Sequence, residues 1–360
     1  MKTINIRGRL NKFQDGLKNK SLKIGFTGGS ITTASNPENW PTHLCGRLIC
    51  EFPNVHFRFN NAAISATGSL CGLALAQKEF IDSGYDLVFV EYAVNDHSVD
   101  SEERMRTREG LIRKLLSAGI DIVLVYTYFS EMFDRENLDK VPESIEDFEM
   151  LARHYQISSV YMAQPVFEMV KNGNLAWHMW LPDGTHPGSL GSYLYSEQVF
   201  RFLKEEILYN LEKSFEKKKT LIEPVNKYNW ENLKEISFDD VKTTGAWYTE
   251  KERCLPWFDE KLCTCAMNAS MSFSFFGRGI AFIFNYGKKS GMIEYRIDGG
   301  EWNEYSFERY WWVPEENFVN GVKFADDLTL DEHNFELRIS YINKKDFTSC
   351  VCNILKIFTF

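Results

Sequence analysis

Lys23-Ile24-Gly25-Phe26-Thr27-Gly28-Gly29-Ser30-Ile31-Thr32 places a serine directly behind a short apolar strand and a glycine pair. Glycines at a strand-to-helix turn let the backbone bend sharply and approach a ligand closely. A serine there carries its hydroxyl to the open end of a sheet, with its own N–H at a helix start where an anion is favoured. That is where an acyl-transfer nucleophile is needed. The same position also suits a serine that only caps the helix behind it, so the choice falls to the rest of the chain.

Working outward, residues 22–207 alternate β-rich runs with helical patterns. Strands are expected at 22–27, 55–60, 87–92, 120–126 and 159–161. Apolar residues at helical spacing mark 40–51, 70–83, 102–118, 144–155, 165–171 and 190–211. The runs Leu87-Val88-Phe89-Val90 and Ile122-Val123-Leu124-Val125 are almost continuously apolar, as in a parallel sheet covered on both faces. Strand–helix alternation implies right-handed crossovers and a three-layer α/β domain. In such sheets the sites lie outside the carboxyl ends of the strands.

A charged stretch at 212–219 reads as a solvated helix end and linker. Beyond it the pattern changes to short alternating strands such as Met271-Ser272-Phe273-Ser274-Phe275 and Asn334-Phe335-Glu336-Leu337-Arg338, separated by Gly, Asn and Asp turns. That pattern indicates an all-β, jelly-roll-like sandwich. The division is therefore 1–219 for the α/β domain and 220–360 for the sandwich. A chain of 360 residues is long enough for two cores.

Three further segments fall where the α/β reading puts loops at the carboxyl edge. Asn61-Ala62-Ala63-Ile64-Ser65-Ala66-Thr67-Gly68-Ser69 is a small-residue loop able to bring backbone N–H groups to a bound oxygen. Val94-Asn95-Asp96-His97 follows the strand at 87–92, and an Asn side chain there can donate to a developing oxyanion. Asp183-Gly184-Thr185-His186 precedes the last long helix. Its carboxylate can orient the imidazole, and the imidazole can act as base for Ser30. Taken singly, each segment is also ordinary turn chemistry; in this order they form a set.

That ordered set resembles the SGNH (GDSL-like) hydrolase family, over about residues 20–210. Ser30 matches the nucleophile, within the variant Gly28-Gly29-Ser30-Ile31-Thr32 that has Gly29 where the family commonly has Asp. Asn95 matches the oxyanion asparagine, and Asp183 and His186 match the triad partners. The resemblance implies a flavodoxin-like fold and ester hydrolysis through an acyl-enzyme, with no metal or cofactor. It also implies an oxyanion hole made by the Ser30 N–H, the Asn95 side chain and a middle backbone donor. Where the family has a glycine as that donor, spacing points here to Ala66, with Gly68 two residues on. Gly29, His97, Trp177 and Trp180 are candidate substrate contacts. His97 is read first as a brace for its loop, and Trp177 and Trp180 as either a sugar-stacking wall or a buried aromatic pair.

Composition narrows the partners. A net charge of −9 argues against nucleic acid. The amino-terminal residues lack the continuous apolar stretch of a secretory signal, and no run is apolar enough to span a membrane. The expectation is a cytoplasmic protein that meets a small-molecule or oligosaccharide ester and no membrane. Two Cys-x-Cys pairs, Cys263/Cys265 and Cys350/Cys352, are read as residues filling a sheet face rather than as metal ligands. Trp302, Tyr305, Tyr310, Trp311 and Trp312 crowd the sandwich, as sugar contacts or as core. The functional expectation is a carbohydrate O-acetylesterase. Its rivals are an acyltransferase using the same triad and a non-catalytic glycan-binding protein; homo-oligomerisation through the sandwich is a further reading.

Overall fold

The computed structural model describes residues 2–33, 37–132, 140–212, 221–307, 311–340 and 350–360. It divides into two units, Met1–Glu231 and Asn232–Phe360. The junction expected at 219/220 lies outside the described residues.

The first unit is built on one sheet. Its strands are β1 (Ile4–Asn5), β2 (Ser21–Gly28), β3 (His56–Asn61), β4 (Leu87–Glu91), β5 (Asp121–Tyr126) and β6 (Ser158–Tyr161). They lie in the order β1-β6-β5-β4-β2-β3. All neighbours run parallel except β1, which joins β6 antiparallel at the edge. Without that edge strand the order is flavodoxin-like, and β2 is where the chain reverses its direction of travel across the sheet.

The helices are α1 (Asn11–Lys18), α2 (Trp40–Glu51), α3 (Ser69–Ala76), α4 (Ser101–Ser117), α5 (Glu143–Tyr155), α6 (Ala163–Lys171), α7 (Trp177–Trp180) and α8 (Ser189–Glu212). Right-handed crossovers send α2 to one face and α3, α4 and α5 to the other. Accordingly α2 packs on α8, while α3, α4 and α5 pack in succession. The helical pattern expected at 70–83 holds as α3 and then widens into a π-helical turn at Gln77–Ile81. Neither β1 nor α1 was anticipated. A two-residue edge strand and a one-sided eight-residue helix carry too little periodicity to stand out.

Every residue of β4 is buried. Phe89 on β4 stacks on Phe26 of β2 at 5.5 Å between ring centroids, and Trp40 of α2 meets Phe26 edge-on at 5.4 Å. The Trp40 indole N–H then donates to Thr32 Oγ1 at 3.0 Å, so the core reaches directly into the segment behind β2. No helix among the described residues is long and apolar enough to cross a membrane.

The second unit is a pair of antiparallel sheets. Its strands are β7 (Lys234–Glu235), β8 (Lys242–Thr244), β9 (Trp247–Lys251), β10 (Glu260–Thr264), β11 (Ser270–Gly277) and β12 (Ile280–Tyr286), followed by β13 (Met292–Ile297), β14 (Asn303–Tyr305), β15 (Phe318–Ala325), β16 (Asp331–Ser340) and β17 (Cys352–Thr359). One sheet runs β15-β12-β17-β10-β9 with β7 beside β17, the other β14-β13-β16-β11-β8. Alternation puts Phe273, Phe282 and Phe335 into one core, with Phe335 at 5.6 Å from Phe273 and 5.2 Å from Phe282.

Cys263 on β10 and Cys352 on β17 are buried between neighbouring strands, and all eight cysteines are free thiols. Tyr305 packs into the core against Phe307. Trp302 lies beneath two guanidiniums, those of Arg296 at 4.6 Å and Arg338 at 4.1 Å from its ring. Its ring is thus engaged within the unit, partly buried, and lines a cavity with Glu294, Glu336 and Arg338. Trp312 is half exposed and Trp311 stands 88% exposed; Tyr310 lies outside the described residues.

His333 on β16 faces two acceptors, Asp298 Oδ2 at 2.7 Å from Nδ1 and the Thr329 carbonyl at 2.9 Å from Nε2. Only the imidazolium can donate to both. The Asp298 carboxylate and the Thr329 carbonyl accordingly raise its pKa above the usual imidazole value. A raised cationic pKa adds stability that is complete below the unfolded pKa of about 6.5 and is lost as pH rises through the folded one. The melting temperature of the full chain should therefore fall as pH rises above about 6.5. Calorimetry should find that slope flattened in His333→Phe.

Candidate active site

The segment leaving β2 makes a tight turn rather than a helix start. The Gly29 carbonyl accepts the N–H groups of Thr32 at 3.1 Å and Thr33 at 3.0 Å. The next described helix, α2, begins at Trp40 and is capped by Asn39, whose side chain accepts the Thr42 N–H at 2.8 Å. Ser30 thus caps none of the described helices, and its hydroxyl is left to do something else.

That hydroxyl lies 2.7 Å from His186 Nε2. On the far side of the ring, Nδ1 is 2.7 Å from Asp183 Oδ2. The other carboxylate oxygen accepts the Thr185 N–H at 2.9 Å and the His186 N–H at 2.7 Å. This is an Asx turn, with Gly184 at φ +83° supplying the left-handed residue that closes it. The sharp turn brings two side chains three residues apart into line. Partial burial works against the Asp183 charge, but donation from the His186 backbone, the imidazole and Thr185 outweighs it and holds the carboxyl below its usual range. The imidazole is 48% and the carboxylate 58% exposed, so the arrangement opens to solvent.

Asn95, just beyond β4, packs against Gly29. A Cβ at Gly29 would fall 1.8 Å from Asn95 Oδ1 and 2.8 Å from Nδ2, an overlap no side chain could relieve without moving the amide. Gly29 is therefore where a backbone must be bare so that the carboxamide can lie beside the serine. The loop after β3 is drawn to the same place. Ala62 and Ile64 N–H groups continue the pairing with β2 through the carbonyls of Phe26 and Gly28, and Asn61 Nδ2 donates to the Thr32 carbonyl at 2.6 Å. Ala66 then takes φ +57°, the left-handed region that an alanine occupies at a cost of about 1–2 kcal/mol. Gly68 instead is extended, at φ −91° and ψ −174°, and is bare because a Cβ would meet Asp96 Oδ1 at 2.4 Å. Neither the Ser30 N–H nor the Ala66 N–H donates to another described residue.

The loops that carry Ala66 and Asn95 hang on one buried ion pair. Asp96 Oδ1 accepts the Ser69 N–H at 2.9 Å, and Oδ2 accepts Arg108 Nε at 2.8 Å. Arg108, wholly buried on α4, also donates to the Ser144 carbonyl at 2.6 Å and stacks on Phe148 at 3.9 Å. Arg108 was not anticipated, because an arginine within a helical pattern reads as solvated until its neighbours are known.

The remaining candidates separate. Trp180 is fully buried, 5.2 Å from the Trp177 ring, with its N–H on Tyr195 Oη at 3.0 Å. It supports the 183–186 turn from below and offers no face to a substrate, which corrects the reading of it as a sugar-stacking wall. Trp177 is half-buried against it. His97 meets Phe129 edge-on at 5.4 Å, and burial lowers its pKa. Among the described residues no group of three or more His, Cys, Asp or Glu side chains could hold a metal ion.

No family model matches the chain, and no curated protein matches it. Among solved structures, a two-domain esterase active on acetylated mannans aligns over 99% of this chain and 97% of its own, with TM-score 0.84 and 21% identity. The same kind of two-domain esterase co-crystallised with mannopentaose aligns over 99% and 96%, with TM-score 0.82 and 22% identity. The fold is thus a three-layer α/β unit followed by a β-sandwich, shared with that esterase over both units.

Gly29→Ala should lower turnover as much as Asn95→Ala, about 10²–10³-fold in kcat. The double variant should lose no more than either alone, because both remove one carboxamide from one place; steady-state kinetics on an aryl acetate reads this. Ala66→Gly should keep activity and raise stability by up to about 1 kcal/mol through relief of the left-handed alanine, read as a higher melting temperature.

Proposed function

We propose that this chain is a serine esterase that removes O-acetyl groups from a carbohydrate. The observation that carries the reading is the unbroken line from the Ser30 hydroxyl through the His186 imidazole to the Asp183 carboxylate, with 2.7 Å at each link, beside a carboxamide and two undirected N–H groups.

In this reading His186 Nε2 takes the Ser30 proton as Oγ attacks the ester carbonyl. Asp183, charged and fixed by two backbone N–H groups, stabilises the imidazolium and holds its tautomer. Negative charge develops on the carbonyl oxygen and is met by the N–H groups of Ser30 and Ala66 and by Asn95 Nδ2. Collapse breaks the ester bond, and His186 passes its proton to the departing sugar oxygen. Water then enters, gives its proton to the same imidazole and attacks the acetyl-Ser30 carbonyl. Acetate leaves as the proton returns to Oγ.

A carbohydrate is favoured as alcohol component on two grounds. The imidazole and carboxylate stand at an open edge that admits a bulky polar substrate, and the fold over both units is that of an esterase active on acetylated mannans. Ser30→Ala should abolish turnover of p-nitrophenyl acetate while leaving the circular dichroism spectrum and melting temperature unchanged. Mass spectrometry of acetylated manno-oligosaccharides should show a loss of acetyl groups that depends on Ser30. Turnover retained by Ser30→Ala would overturn the reading, and acetyl groups moved to an added sugar instead of released would make the enzyme a transferase.

A further inference from the structure

At the carboxyl end of β4, Glu91 is completely buried beneath the nucleophile turn. Its carboxylate receives the Thr127 hydroxyl at 2.6 Å on Oε1 and the Thr32 hydroxyl at 3.1 Å on Oε2, and the Gly29 N–H as well. None of the described lysine, arginine or histidine residues forms an ion pair with it. A buried carboxylate without a cation is costly, and apolar strands rarely end in one. Burial accordingly raises its pKa, against the pull of its three donors.

What its donors are attached to shows its effect. Gly29 and Thr32 bracket Ser30 in the nucleophile turn. Thr127 is the first residue after β5 and begins a short segment that ends at the other half of the site. Three residues on, the Ser130 N–H donates to the Gly184 carbonyl at 2.8 Å, inside the Asp183–His186 turn. A second strut is parallel to it: the Tyr128 N–H donates to Tyr195 Oη, which also receives the Trp180 indole N–H at 3.0 Å. Glu91 is therefore the point where the serine turn and the support of the imidazole turn share one acceptor.

We infer that Glu91 is a positioning residue that fixes the distance between Ser30 and His186 by binding the Ser30 turn directly and the Asp183–His186 turn through Thr127 and Ser130. The inference rests on the esterase reading for its kinetic consequence, though not for the wiring itself. A displacement of about 1 Å between nucleophile and base can cost roughly a hundredfold in rate.

The chemistry of the three donors predicts a graded series. Two are hydroxyl rotors that can reverse to accept, while the Gly29 N–H cannot. Glutamine at position 91 can keep its carbonyl oxygen on the fixed N–H and donate its amide to a threonine, whereas leucine satisfies none. Glu91→Gln should lower kcat about tenfold and Glu91→Leu about a hundredfold, with KM within twofold of the wild type. Thr127→Val should match Glu91→Gln, and the double variant should lose less than the product of the two, since both cut the same strut. Amide hydrogen exchange at Ser130 and across 183–186 should accelerate in Thr127→Val and Glu91→Gln.

Unaltered kcat with unaltered exchange, or losses that multiply, would overturn the inference while Ser30-dependent turnover by the wild type left the esterase reading standing. Wild-type protein without Ser30-dependent turnover would overturn that reading, and the exchange measurement would still judge the wiring. If Glu91→Leu fails to fold, Glu91→Gln and Thr127→Val decide alone.

Discussion

A carboxylate and a guanidinium, taken together out of water, tie the loop after β3 to the loop after β4. Asp96 and Arg108 are both almost wholly buried; the carboxylate also accepts the Ser69 N–H, and the guanidinium also donates to the Ser144 carbonyl and hydroxyl. Asp96 holds the start of α3, so the loop that carries Ala66 cannot drift from the loop that carries Asn95. Arg108 spans from that point to Ser144 on α5. Either group alone would leave an uncompensated buried charge, at a cost of about 3–5 kcal/mol. The pair is thus more valuable as a fixture of position than as a source of stability.

The site as a whole is a product of strand order. Ser30 and His186 are 156 residues apart, and Asn95 lies between them in sequence. The sheet reverses its direction of build at β2, which leaves a crevice above the carboxyl ends of β2 and β4. The serine turn follows one of these strands and the asparagine the other. The histidine turn arrives from beyond the last strand and is supported by the segment after β5. A serine, a carboxamide and an imidazole can each come from a separate loop because the parallel sheet sends all those loops to one edge.

The candidate site residues were legible because a reaction of the proposed kind restricts residue type and local spacing. A serine behind paired glycines, an asparagine behind an apolar strand and Asp-Gly-Thr-His before a helix are distinctive even in isolation. Spacing pointed to Ala66, with Gly68 two residues on, and the left-handed backbone of Ala66 shows why a glycine would be at ease there. Supporting residues were not legible. Glu91 closes an apolar strand and Arg108 occupies a helix, positions where charge usually meets solvent. Trp180 read equally as a wall or as a buried aromatic, and only its neighbours show that it is core. Burial depends on which neighbour covers a face, and that neighbour comes from distant sequence.

Periodicity and turn chemistry in the chain itself therefore determined the alternating α/β half and the antiparallel half, and singled out the serine, histidine, aspartate and asparagine as candidates. Those signals are short-ranged, written within a strand, a helical turn or a four-residue loop. Only the tertiary structure decided that Gly29 must be bare for Asn95, that Ser30 caps no described helix, and that one buried glutamate ties two turns together. Each of those outcomes is a contact between segments whose separation in sequence carries no local trace, settled by steric exclusion and by the demand that buried polar groups find partners.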